Sequence, residues 1–559
     1  MVNKPWLKHY DDGVPATIEY PPIPTFVLLE QTAEKYPNHP CTIFKGAIIT
    51  YKEMNDITDR LAAVLYNLGI RKGDRVGLFI PNTPQFVMAY YAILKIGAIV
   101  VATNPLYTPR EIIHQVSDAG AEVMVLMTNN YEKVKSLQEQ TRIRQLVVTN
   151  LKETLPPFLR LMFTLLKEKK AGFKVRLRDN DVWMMDLIER FGIEDCPKIE
   201  ITADDTAIFQ YTGGTTGISK GVIAPHRTIV ANTLQMAAWV PNAVEGQEVL
   251  CMAIPLYHVY GMVAGLNYAI LTGASMIMVP DPRNTQDILD NLTKYKATVY
   301  PGVPAMYNAI NNNPGVTAGK YDLSSIKFCI SGSAPLMRET KERFEEITGG
   351  KLVEGYGLSE APTASHCNPI NGENRTGSIG LPLPDVDCRI VDLDDGITNL
   401  PPGEVGELII QAPQVMKGYH NMPTETANAL RDEWLYTGDI AYMDEDGYFY
   451  IVDRKKEVIK PGGFQVWPRE VEEVIQAHPK VLEVGVGGIP DAKSGEAVKA
   501  WVVLKPGETA TEKDIIGWCK EDLAGYKVPK EVEFRNALPR SSALKVLRRE
   551  LIREHLEKT

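Results

Sequence analysis

The chain has 559 residues, too many for one domain of ordinary size and enough to bury large cores. Hydrophobic residues make up 44% and charged residues 23%, the balance of a soluble globular protein. A net charge of −10 removes any global attraction to nucleic acid, which rests on basic residues meeting phosphates.

The N-terminus, MVNKPWLKHYDDG, has no apolar signal core. Seven cysteines stand at 41, 196, 251, 329, 367, 388 and 519 with no CxxC pair, so zinc spacing is absent. The sparse, odd set predicts reduced thiols and a cytoplasmic location. In DRLAAVLYNLG, Leu61, Leu65 and Leu68 fall at helical spacing. VGLFIP then reads as a buried strand, PQFVMAYYAILKIG as a helix and AIVVATN as another strand. This alternation predicts βαβ units and parallel sheet. Asn82, Pro84, Gln85 and Lys95 interrupt the apolar run from Val76 to Val101, which excludes a membrane span there. Alternation returns at TKYKATVYPGVP and IKFCISGSAPL, and from about 380 it gives way to short strands with Gly and Pro turns, such as GELIIQAP. A domain boundary is expected near 453. Beyond it PREVEEVIQAH is an expected helix with Val471, Val474 and Ile475 on one face. VGVGGIPD, AVKAWVVLK and TEKDIIGWCKEDLA complete a small α+β module.

YTGGTTGISKG (211–221) follows the expected strand DTAIFQY. It fails the P-loop rule, because Lys220 precedes Gly221, and it fails the dinucleotide rule as well. It still suits phosphate: glycines let successive N–H groups face one concavity, hydroxyls add donors and Lys220 adds charge. The plain alternative is a glycine-rich turn between that strand and a helix. The order of the residues resembles the phosphate loop of the adenylate-forming enzymes, the superfamily of acyl-CoA synthetases, luciferases and peptide-synthetase adenylation domains. Gly214 stands where a Ser or Thr is usual. Ser219 stands where Pro is usual, and is expected to loosen the loop.

Further stretches follow in that family's order, and the resemblance spans the chain. It implies an α/β fold with a large N-terminal domain (1–452) of mixed and parallel sheets layered with helices, plus a β-rich subdomain. A hinge (453–456) and a small mobile α+β lid (457–559) follow. For ATP it implies Thr212, Gly213, Gly214, Thr215, Thr216, Gly217, Ser219 and Lys220 as the phosphate cradle. ISGSAPL and EGYGLSE supply Gly332, Ser333, Ala334, Glu354, Gly355, Tyr356, Gly357 and Ser359 around adenine, with the Tyr356 ring stacking. Glu360, with Thr212, is implied for Mg²⁺, a hard cation that prefers oxygen ligands. His258 in PLYHVYGM is implied at the mouth of the acyl pocket. Asp439 in WLYTGD is implied for the ribose, Arg454 for ribose or phosphate, and Lys456 for the hinge. Lys460, Gly462, Gly463 and Gln465 are implied for coenzyme A, and Lys545 as the catalytic lysine. Ala543-Leu544 replaces the usual Thr-Gly before Lys545.

The implied reaction is ATP-dependent activation of a fatty acid as an acyl-adenylate, then transfer to coenzyme A with release of AMP and pyrophosphate. The phrases TNPLYTPRE, LSSIKFCISGSAPL and PQVMKGY resemble prokaryotic long-chain fatty-acid–CoA ligases most. Medium-chain, aromatic or alicyclic acids stay open, as does a non-catalytic acyl- or nucleotide-binding relative, which Ala543-Leu544 would support. PLYHVYGM lacks the Asp that amino-acid-activating domains place there, which disfavours amino acids. The resemblance fits a monomer or homodimer. The stretch 156–178 mixes Leu, Phe and Met with seven basic residues and one acid, Glu168. It reads either as an amphipathic patch resting on anionic lipid or, more simply, as a surface helix with a basic face.

Overall fold

The computed structural model describes residues 4–212, 219–462, 464–491, 494–541 and 546–558. Gly213, Gly214, Thr215, Thr216, Gly217, Gly463 and Lys545, with Ala543-Leu544, lie outside the described residues. The chain divides into two compact units. One comprises Trp6–Asp387 and Gln411–Glu433, the other Met1–Pro5, Cys388–Ile410 and Trp434–Thr559.

The first unit is built on an eight-stranded sheet. Its centre is parallel: Thr206–Tyr211, Ile99–Ala102, Arg75–Phe79, Val123–Met127, Gln145–Thr149 and Val182–Trp183 lie side by side. Helices cover such sheets on both faces, so the strands IVVA and VMVLM are buried end to end rather than alternating. The helix Pro84–Lys95 is buried along its whole length. Its one cation, Lys95, is met by Asn55 at 2.8 Å, Glu30 at 3.1 Å and Asp59, which makes its burial tolerable. The helix Tyr51–Asn67 starts on a capping box between Thr50 and Glu53.

At one end the sheet turns antiparallel. Gly221–Pro225 pairs with Thr206–Tyr211, and the two-residue strand Gly418–Tyr419 forms the edge beyond it. The plain alternative for the glycine-rich stretch is therefore corrected. The loop joins strand to strand, and the helix His226–Trp239 begins only after Pro225. GVIAP is a short extended run ending in proline, and the sheet takes it before any helix can start.

Two four-stranded sheets complete the unit, Val249–Met252, Ser275–Met278, Pro40–Phe44, Ala47–Thr50 and Phe328–Ser331, Lys351–Leu358, Ala361–Cys367, Leu381–Pro382. In TKYKATVYPGVP the expected strand is reduced to bridges: Val299 touches Leu250 and Phe328, and Gly302 touches Ser331. Pro301 breaks the run between them.

In the second unit the strand Gly406–Gln411, up to Ile410, pairs antiparallel with Trp434–Met443, which pairs antiparallel with Phe449–Arg454. A three-stranded sheet, Val481–Asp491, Gly495–Leu504 and Glu531–Phe534, packs with the helices Pro468–Gln476, Glu512–Asp522 and Arg548–Lys558. Val471 and Ile475 face that core, with Val474 partly buried against it.

The helix Pro157–Leu166 corrects the simpler reading of 156–178. It carries no basic face, since Arg160 is its only charge. None of its residues is buried, and Phe158, Leu159, Leu161, Met162, Leu165 and Leu166 are exposed, Phe158 and Leu165 to 70%. The remaining bases follow the helix rather than line it. Among the described residues no helix is long and apolar enough to cross a membrane. All seven cysteines are free, and all but Cys196 are buried.

Candidate active site

The two ends of the glycine-rich loop are fastened together. Thr212 N–H donates to Lys220 O at 3.0 Å. The Ser219 hydroxyl donates to Thr212 O. Ser219 thus ties the base of the loop, where its replacement of proline was expected to loosen it. The helix Pro109–Ala119 braces both sides of this base. His114 Nε2 lies 3.1 Å from Ser219 O, and Tyr211 OH donates to Asp118 at 2.6 Å. Neither His114 nor Asp118 carries a local motif, so sequence reading passed over both. Their partners lie about a hundred residues downstream and are brought close by the parallel crossover.

Lys220 is ion-paired to Glu425, and its Nζ lies 4.9 Å from the centroid of the Tyr419 ring. Tyr419 OH donates to Glu360 Oε1 at 2.8 Å. Glu360 sits on the turn between Lys351–Leu358 and Ala361–Cys367, and its carbonyl accepts from Met416 N at 2.8 Å. One aromatic side chain thus links the phosphate-lysine candidate to the metal-ligand candidate. Tyr419 and Glu425 were not anticipated. Tyr419 closes PQVMKGY, a phrase that carries the family likeness but assigns its ring no role, and Glu425 has only its place in the helix that follows.

The purine candidates gather on one sheet and its loops. Gly332 is buried against the Tyr260 ring, which a Cβ there would meet at 3.1 Å. Tyr260 OH holds Ile330 O at 2.5 Å. Ser333 follows with φ +67°, a left-handed conformation unusual for a residue with a side chain. Ala334 is half-buried beside it. The buried Glu354 carboxylate accepts from Leu336 N at 3.0 Å, so it holds this loop from beneath. Tyr356 is half-buried, with the buried His366 edge-on at 5.8 Å. Burial lowers the His366 imidazole to a pKa of about 3, so Tyr356 packs on a neutral ring. A Cβ on Gly355 would meet Ile330 Cγ2 at 2.9 Å. A Cβ on Gly357 would fall 1.5 Å from Thr363 O, so only glycine fits. Ser359 is half-buried next to Glu360. His258 precedes the turn into Tyr260–Asn267, and its Nδ1 accepts from Tyr260 N at 3.3 Å. Burial lowers its pKa to about 4, so it is neutral near pH 7.

In the second unit Asp439 and Arg454 are cross-strand partners. Arg454 Nε lies 2.6 Å from Asp439 Oδ1, and the Asp439 side chain is only 2% exposed. Lys456 is exposed within the turn that follows, where Glu457 N donates to Arg454 O at 2.9 Å. Lys460 and Gln465 are exposed on a turn closed by the Ile459–Val466 bridge. Gly462 lies in that turn with φ +60° and open space where a Cβ would point.

The profile of the AMP-binding enzyme family matches residues 29–420, and that of the AMP-binding enzyme C-terminal domain matches 470–545. The chain belongs to the AMP-binding enzyme family. It is 42% identical over 559 residues to a long-chain-fatty-acid–CoA ligase of Bacillus subtilis, covering 99% of each chain. It is 38% identical to one of Salmonella typhimurium, covering 98% of each. Among solved structures it resembles ATP-bound MatB of Rhodopseudomonas palustris, with TM-score 0.82, 29% identity and coverage of 95% and 99%.

For an AMP-binding enzyme the donor set has a consistent chemistry. Among the described residues no group of three His, Cys, Asp or Glu could hold a metal by itself. Glu360 and the Thr212 hydroxyl offer oxygen only, which suits Mg²⁺ held jointly with substrate phosphates and water. Such an ion, when bound, would offset triphosphate charge. Lys220 supplies a cation at the base of the glycine-rich loop, and His258, neutral near pH 7, is a polar group that adds no charge.

Proposed function

We infer that this AMP-binding enzyme activates a long-chain fatty acid with ATP and transfers the acyl group to coenzyme A, releasing AMP and pyrophosphate. The observation that carries this reading is the Lys220–Tyr419–Glu360 chain at the base of the phosphate loop. A cation and a carboxylate held by one rigid ring suit a metal-bound triphosphate. Similarity along 99% of the chain to a long-chain-fatty-acid–CoA ligase supports the choice of acid.

A carboxylate resists nucleophiles because its charge repels them and oxide leaves poorly. In the first step its oxygen attacks the α-phosphorus and pyrophosphate departs. In the second the thiol attacks the acyl carbon and AMP departs. This chain's residues position groups and offset charge, as phosphoryl transfer requires. Lys220 and the loop donors hold the β- and γ-phosphates. Asp439 accepts from the ribose hydroxyls, with Arg454 fixing its carboxylate. Tyr356 offers its ring to adenine. Lys545 bridges the carboxylate and the α-phosphate, and its departure, by rotation about Lys456, admits the thiol along Gly462, Gly463 and Gln465 beside Lys460.

The same reading places the enzyme in the cytoplasm, resting on anionic lipid through residues 156–178. The exposed apolar helix Pro157–Leu166 and the bases after it support that contact. The deciding experiment measures pyrophosphate release and thioester formation across acids of graded chain length. Long-chain acids should give the highest kcat/KM. Turnover confined to aromatic or short acids, or none with any acid, would overturn the reading.

A further inference from the structure

The strand Gly418–Tyr419 is two residues long, yet it is held on both sides. Tyr419 pairs with Val222 across the antiparallel edge, and its N–H donates to Thr426 Oγ1 at 2.9 Å. With its backbone fixed, the side chain reaches two charged groups. Its hydroxyl donates to Glu360 Oε1 at 2.8 Å, and its ring carries Lys220 Nζ at 4.9 Å from the centroid. Lys220 is also paired to Glu425, on the helix Pro423–Ala429.

The chemistry of each contact differs. The hydroxyl engages one carboxylate oxygen and orients the other without neutralising the group. The ring face attracts the ammonium without cancelling its charge, as a second carboxylate would. Glu425 does compete for that charge, but its side chain is 44% exposed, and ion pairs this open are weak. Phosphate oxygens can therefore displace it.

We propose that Tyr419 is a positioning residue that sets Glu360 and Lys220 relative to one another, and that Glu425 is the anion Lys220 leaves when a triphosphate arrives. The proposal rests on the ATP-activating reading of this site. It assigns Tyr419 no contact with the reacting atoms.

The test is equilibrium binding of a fluorescent ATP analogue to the full chain, with and without Mg²⁺, alongside kinetics. Tyr419→Phe keeps the ring and removes the hydroxyl. It should raise the Mg²⁺ concentration at half-saturation by about tenfold, as expected for loss of a hydrogen bond to a charged group. Metal-free nucleotide affinity and the KM for coenzyme A should stay near wild type. Glu425→Gln, at a half-exposed position that should fold, should strengthen metal-free nucleotide binding several-fold and slow pyrophosphate dissociation. Glu360→Gln is the reference: it should lose metal dependence by itself. If Glu360→Gln shifts the metal titration and Tyr419→Phe does not, the positioning role is wrong. If Glu425→Gln leaves nucleotide affinity unchanged or weaker, the displacement role is wrong. If Glu360→Gln leaves the titration unchanged, the metal assignment in the proposed function fails, and the role of Tyr419 with it.

Discussion

Asp439 shows how one residue can be worth more than its exposure suggests. Its carboxylate is almost fully enclosed and is held by Arg454. Asp439→Ala removes the ribose acceptor proposed above and leaves the guanidinium without this partner. We expect kcat/KM for ATP to fall by about 10²-fold, with a smaller change for the acid, measured by steady-state titration of each substrate. Histidines set a pH limit. Burial lowers the pKa of His226 to about 4 and of His366 to about 3. Unfolded, each would bind a proton near pH 6.5, so unfolding takes up protons between these values. His258, lowered to about 4 as well, adds to this, so the histidine contribution to stability is full above pH ~6.5 and is lost as the pH drops towards 4, with a slope approaching ~4 kcal/mol per pH unit near pH 5. Urea midpoints should fall on acidification across that window; midpoints flat from pH 7 down to 5 would contradict the burial argument.

Between elements, two features stand out. The hairpin that carries Glu360 is closed by Gly357, where the backbone of Thr363 occupies the space of a side chain. Gly357→Ala must move one strand or the other. We expect a loss of at least ~3 kcal/mol by denaturant titration, accompanied by weakened metal dependence. The helix Pro157–Leu166 presents its leucines to solvent with the exposed Lys167, Lys169 and Lys170 just beyond. Apolar side chains seek the acyl boundary while lysines seek anionic headgroups. Cosedimentation with anionic vesicles at low salt should be strong, should weaken with salt, and should be lost in Leu161→Glu/Leu165→Glu. Turnover of a water-soluble acid should be unaffected by that pair. A second copy of the chain is the competing occupant, and sedimentation velocity of the same variant without vesicles distinguishes it.

At the scale of the molecule, catalysis in two steps requires the groups around ATP to change between them. We expect Lys456→Pro, which stiffens the turn after Arg454, to slow thioester formation by at least about tenfold while adenylate formation changes little. Separate assays of pyrophosphate exchange and of thiol transfer from preformed adenylate would read the two steps, and equal loss in both would sink the hinge. The large-scale plan was legible in sequence because its causes are local. VGLFIP and AIVVATN are too continuously apolar for surface strands, and PQFVMAYYAILK starts on proline at helical length, so parallel layers follow. The order of the motifs, from YTGGTTGISKG to the C-terminal LPRSSALKVLRREL, carried the family.

What the sequence could not contain is the pairing of residues far apart in the chain. Tyr419 meets Glu360 and Lys220 only because the sheet adds Gly418–Tyr419 beside Gly221–Pro225. His114 and Asp118 reach the loop base only because a parallel crossover sets their helix there. The same holds for GVIAP, whose short extended run became a strand by finding an edge, and for Pro157–Leu166, whose leucines no neighbour buries. Sequence by itself determined the chemistry on offer: donors, cations, carboxylates and the order in which they come. Tertiary structure decided which of them touch, because a side chain's partner is set by distance in space, and periodicity records only neighbours along the chain.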